Sequence, residues 1–155
     1  MKTSDKHIVS TLQQVAQFVN DAQVRYEQAV KETQEPALQR LYRLLLSQRA
    51  EFATELNQII QNHHGEPETG TTEQGLLYRL WLDLKGGCDV NKEQTLIDLN
   101  ILGEEWFQKA YQEALEKEDL PQSVRQILER QLQNSQQAYA QLLQLKADEK
   151  ALPRL

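Results

Sequence analysis

Apolar residues recur along this chain at alternating steps of three and four over four long stretches, with little to interrupt them. That spacing is the stripe of an amphipathic helix with one buried side. The first stripe is Ile8, Leu12, Val15, Val19, Ala22, Tyr26 and Ala29, in a helix that Ser4 or Asp5 can cap and that runs to about Thr33. Pro36 suits the first turn of a second helix, where its missing N–H costs nothing. Its stripe is Leu38, Leu41, Leu45, Gln48, Phe52, Leu56 and Ile59; Gly65 ends it, with His63 and His64 in the last turn. A third stripe is Leu96, Leu99, Gly103, Trp106, Ala110 and Ala114, opened by a capping signature at Asn91 and Gln94. Leu120-Pro121 breaks the chain, and a fourth helix runs to about Asp148 with Val124, Leu128, Gln131, Ser135, Ala138, Leu142 and Leu145 on its inner side. Ala151 to Leu155 reads as a frayed tail.

Tight turns join the first helix to the second and the third to the fourth, giving two antiparallel hairpins. The link between the hairpins is long. Gly65 to Thr72 is a loop, Thr71 and Gln74 stand at capping-box spacing, and a short helix over Glu73–Lys85 closes at Gly86-Gly87. The spacing therefore predicts one all-α domain over residues 1–155. It is a four-helix antiparallel bundle with a short helix in the long crossover between helices 2 and 3.

Composition limits the function. Six glycines and four prolines disfavour turn-rich all-β folds, and 22 glutamines favour helix. A net charge of −6 argues against a nucleic-acid binder, which needs a basic footprint. No apolar run approaches the roughly 20 residues that span a bilayer, and the N-terminal residues lack the apolar core of a signal peptide. The single cysteine, Cys88, allows no intrachain disulfide and reads as an inert loop thiol. A cytoplasmic protein that contacts neither nucleic acid nor membrane is the expectation.

Three runs carry a family resemblance: Gln48-Arg49-Ala50-Glu51-Phe52-Ala53-Thr54-Glu55-Leu56, then Gly65-Glu66-Pro67, then Gly75 through Tyr78-Arg79, Trp81 and Asp83-Leu84-Lys85. The chain resembles a bacterial ferritin-like four-helix-bundle family of unknown function with QRAxFAxEL, GGEPE and GxxHRxWxDLK segments. Gly103-Glu104, Tyr111 with Ala114-Leu115, Leu120-Pro121 and Glu129-Arg130-Gln131 fit the same pattern. The resemblance runs from about Asp21 to Leu145 and implies a ferritin-like bundle without an established reaction. Where that family tends to carry Glu in the first helix, this chain has Gln23. It has Tyr139 and Tyr78 where the family has His, and Ile101 where an acidic residue is expected. The resemblance thus implies a bundle whose metal-ligand positions are lost.

The residues agree with that implication. A di-iron bundle needs Glu-x-x-His on two helices, because residues three apart share a face. None of the three histidines has Glu three positions before it. Neighbouring His63 and His64 diverge by about 100° and chelate poorly. An all-carboxylate site would draw on Glu27, Glu55 and Glu104, with Glu51 and Glu105 nearby. Pairing of such carboxylates with Arg25, Arg49 and Arg130 is the simpler expectation. Gln48, Gln131 and Ser135 interrupt the stripes and predict either a polar layer that fixes register or the lining of a small-ligand cavity. Gly103 predicts a close approach by another helix or by the Trp106 ring.

Leu76, Leu77, Leu80, Trp81 and Leu84 make the crossover helix apolar on most sides, which suits either a lid on the bundle or a partner interface. No Ser/His/Asp, phosphate-loop or zinc pattern is present. The expected function is a non-catalytic module acting through a protein partner or a second copy of itself, without a cofactor. The alternatives are an iron-binding or di-metal oxidoreductase of the ferritin-like class, and a small-ligand-binding bundle.

Overall fold

The four stripes become four long helices: α1 (Thr3–Glu32), α2 (Pro36–Asn62), α3 (Lys92–Leu115) and α4 (Gln122–Ala151). They are seen in a computed structural model that describes residues 3–76, 79 and 91–151, and no strand occurs among the described residues. Pro36 starts α2 at its first turn. Asn91 stands at the N-cap of α3 without a side-chain hydrogen bond to the helix end. The last helix continues to Ala151, beyond the Asp148 expected from periodicity.

Every residue of the α1 stripe is buried, and so is the α4 stripe from Val124 to Leu142. The α2 and α3 faces correct the sequence reading. On α2 the core takes Tyr42, Arg49 and Ile60, leaving Leu41, Gln48 and Ile59 half-buried. On α3 it takes Asn100, Glu104, Phe107 and Tyr111, leaving Trp106 and Ala110 half-buried. The reason is chemical. Arg49, Asn100 and Glu104 disqualify their own faces by hydropathy, yet each is hydrogen-bonded inside, which removes most of the penalty of burying them.

Pairings between helix ends fix the directions. His63 meets Asp5 at 2.8 Å, so α2 returns to the start of α1. Lys92 meets Glu32 and Thr33 meets Glu93, so α3 starts where α1 ends. Asp119 meets His7, which places the α3–α4 turn back at the first end. The order is up, down, down, up, and the crossover travels the length of the bundle. α1 packs on α2 and α3, and α3 packs on α4, while α2 and α4 are the most weakly packed of the four neighbouring pairs.

Side chains of α1 strap the crossover down. Gln13 donates to the Glu66 carbonyl at 2.9 Å, and Asn20 donates to the carbonyls of Glu68 and Gly70. Buried Asp21 accepts from the Thr72 N–H at 2.9 Å and from the Thr72 hydroxyl. Burial raises the Asp21 carboxyl above its ordinary value, and the Thr72 hydrogen bonds partly offset this. The Thr72 hydroxyl oxygen in turn accepts from the Gly75 N–H at 2.9 Å. The cap of the crossover helix is therefore Thr72, one residue later than the Thr71 expected, because Asp21 fixes Thr72 in place. The helix itself is described only over residues 73–76 and at 79; Leu77, Tyr78, Leu80, Trp81, Leu84 and Cys88 lie outside the described residues.

The end of α2 also corrects an expectation. The left-handed residue is His64 (φ 67°), not Gly65. Gly65 N–H reaches the Ile60 carbonyl at 2.9 Å and His64 N–H reaches Gln61 at 3.0 Å, which is a Schellman closure. Glycine is needed at 65 for space, since a Cβ there would overlap the side chains of Val9 and Ile60. His64→Gly should therefore raise the unfolding free energy by about 0.5–1 kcal/mol, as the strained residue is relieved. Gly65→Ala should lower it by about 1–3 kcal/mol through overpacking. Urea unfolding of both variants measures the two effects.

Candidate functional site

All four helices meet at one carboxylate. Glu104 of α3 is fully buried, as is Arg49 of α2. Arg49 Nη2 donates to Glu104 Oε1 at 2.5 Å, and Tyr26 of α1 donates its hydroxyl to the same oxygen at 2.6 Å. Ser135 of α4 donates to Oε2 at 2.9 Å. The other arm of Arg49, Nη1, donates to Asn134 Oδ1 at 2.6 Å. Phe52 and Phe107 flank the guanidinium, 5.2 and 4.7 Å from ring centre to Cζ. Burial alone works against the Arg49 charge, but Glu104, with Tyr26, outweighs it and holds the guanidinium above its ordinary value. Burial also pushes the Tyr26 hydroxyl well above 10, and the Glu104 charge adds to the shift.

Two further layers flank this centre. Toward one end, buried Arg25 donates to Asn100 Oδ1 at 2.8 Å, and Asn100 donates to the Leu96 carbonyl. Gly103 makes room for it, since a Cβ there would overlap the Arg25 guanidinium. The close approach expected at Gly103 is thus made by Arg25, not by Trp106. Toward the other end, Tyr111 donates to Gln131 Oε1 at 2.5 Å, and Gln131 donates to Glu55 at 3.1 Å. Glu55 also pairs with Arg130.

The carboxylates singled out from the sequence do not converge. Glu27 is exposed and pairs with Lys31 one turn on. Glu55 pairs with Arg130, Glu104 with Arg49, and Glu105 accepts from Tyr139 at 3.0 Å. Glu51 is exposed. A di-metal centre of the ferritin-like kind takes carboxylates from all four helices. Here the helices bring a tyrosine, an arginine, one glutamate and a serine, so the donor set does not fit two metal ions. Among the described residues no three His, Cys, Asp or Glu side chains come together as a metal-holding group.

Of the polar mid-core set, Gln131 and Ser135 are buried and hydrogen-bonded. Gln48 is displaced to the seam between α2 and α4 because Arg49 takes the inner position. There it borders a groove of about 330 Å³ with Phe52, Asn134 and Gln137. Arg49 was legible from the sequence as a partner for a carboxylate. Tyr26, whose hydroxyl ties α1 to α3, reads in the sequence as an ordinary apolar stripe member, and Tyr111, whose hydroxyl ties α3 to α4, falls outside the stripe expected for its helix. The crossover residue Leu76 is 48% exposed.

Two measurements test this centre. Arg49→Ala leaves Glu104 buried without its cation and should lower stability by about 3–5 kcal/mol, whereas Arg49→Met with Glu104→Gln should recover the larger part. Tyr26 and Tyr111 are held neutral by burial. Their contribution to stability is fully present below about pH 10 and is lost as pH rises from there toward their higher folded-state values. Tyrosinate absorbance should show both ionising only as the bundle unfolds, and Tyr26→Phe should flatten the alkaline loss.

No helix among the described residues is long and apolar enough to cross a membrane. Residues 7–117 match the family described as "Domain of unknown function (DUF2383)". No curated protein and no solved structure matches the chain.

Proposed function

The chain belongs to that DUF2383 family, and we propose that it is a non-catalytic bundle of ferritin-like connectivity that acts through protein contacts, with a partner or with a second copy of itself. The observation that carries this is the exposure of Leu76. It is the described member of the apolar run Leu76, Leu77, Leu80, Trp81 and Leu84. Leu44, Leu102 and Leu143 are exposed as well. Exposed large apolar side chains in a crossover are the raw material of an interface core. The up-down-down-up order and full-length crossover support the ferritin-like assignment, and the bacterial cytoplasm is the setting we propose for it.

The polar centre supports the same reading. Both Glu104 oxygens are taken by protein donors. Arg49 puts a fixed positive charge where a metal cation would have to sit, so the centre holds the fold instead of reacting.

Sedimentation tests the proposal. Wild-type chain should form a dimer or hold its partner across at least about 1,000 Å². Leu76→Ala combined with Trp81→Ala should weaken that assembly at least tenfold without lowering the melting temperature of the bundle. Unchanged sedimentation of the double variant, together with unchanged partner retention, would overturn it.

A further inference from the structure

Two cross-links tie the outer seam between α3 and α4. Lys146 meets Asp98 at 2.9 Å, and Tyr139 donates to Glu105 at 3.0 Å. Leu102 lies one turn from Asp98 and one from Glu105, while Leu143 lies one turn from Lys146 and one from Tyr139. The two leucines therefore sit side by side between the cross-links, 39% and 42% exposed. Around Leu143, Ala140, Gln144 and Ala147 are exposed as well. These four stand at the i, i+3, i+4, i+7 spacing of a hole that receives one side chain from a facing helix.

A second copy of the same seam complements this one. In a two-fold pair whose axis runs along the helices, α3 of each copy lies on α4 of the other at the same height. Leu102 then enters the hole around the partner's Leu143, and the reverse. Asp98 meets the partner's Lys146 twice, so the internal pairs join into a ring of four alternating charges. An axis across the helices would set Asp98 against the partner's Glu105 instead, so charge selects the first arrangement. The surface charges over residues 98–109 and 136–146 are Asp98, Glu105, Lys109 and Lys146, which sum to zero in a chain of net charge −6. Two copies meet here without the repulsion that the chain's net charge otherwise imposes. The 24 residues of α3 give a face about 36 Å long. With two helices side by side it is about 20 Å wide. That is about 700 Å² per copy, enough for the roughly 1,200–2,000 Å² total of a stable interface.

We propose that the α3–α4 seam is the face through which this chain pairs with a second copy of itself, about a two-fold axis parallel to the helices. This rests on the reading that the bundle works through protein contacts, and it assigns one such contact to self-association. Leu76 belongs to a different face, since it follows Gly75, which packs on Asp21 of α1.

The test is sedimentation equilibrium of the full-length chain at micromolar concentration, where the wild type should be a dimer. Leu102→Glu should weaken that dimer at least tenfold while leaving the melting temperature in place, because residue 102 points outward. Asp98→Lys and Lys146→Asp should each be mostly monomeric, since each sets like charges against like across the axis. An equimolar mixture of these two variants should recover the dimer, because the substitutions complement each other between chains and not within one. A monomeric wild type, a dimer indifferent to Leu102→Glu, or a mixture no more associated than its components would each overturn the proposal. If Leu76→Ala with Trp81→Ala breaks an assembly that the Leu102, Asp98 and Lys146 variants leave whole, this face is wrong and the broader reading stands.

Discussion

The buried pair of Arg49 and Glu104 is the constraint around which the bundle is arranged. Neither charge can be left alone inside, because an unpaired buried ion is penalised far more heavily than a lost hydrogen bond. Glu104 is satisfied only when α1 supplies Tyr26, α2 supplies Arg49 and α4 supplies Ser135. Sliding any one helix by a turn would strand a charge or a hydroxyl. Apolar stripes tolerate such slips, since one leucine replaces another. The polar centre does not, so it selects one register out of several that hydrophobic burial would accept.

That pair also explains where the sequence misleads. The lengths and order of the helices are legible because periodicity and punctuation coincide, as at Pro36 and Leu120-Pro121. The inner faces of α1 and α4 are legible because their apolar positions admit one setting. α2 and α3 admit two, one residue apart. Hydropathy prefers the setting with Gln48 and Trp106 inside, because the alternative buries Arg49 and Glu104. Only knowledge that the two meet, 55 residues apart in the chain, reverses the choice. Arg25 hides in the same way, since nothing local links it to Asn100 or to the space above Gly103. The Schellman closure at His64 has no signal of its own in the sequence, because the adjacent Gly65 fits the usual helix-ending pattern.

The crossover shows how a polar segment can be held without a core of its own. Residues 66–72 are fixed to α1 by amide side chains that reach backbone carbonyls, and by Asp21. Backbone groups that a loop would otherwise leave to water are thereby paired. The strap holds residues 66–72 against α1, and Asn57 of α2 adds to it by accepting from the Glu68 N–H at 2.9 Å.

The two hairpins also carry opposite buried charge, Arg49 in the first and Glu104 in the second. Two copies of the first hairpin packed together would bury arginine against arginine, and two copies of the second would bury glutamate against glutamate. Only the mixed combination neutralises the interior. The charge pairing therefore disfavours packing of the inner face of either hairpin against a copy of itself.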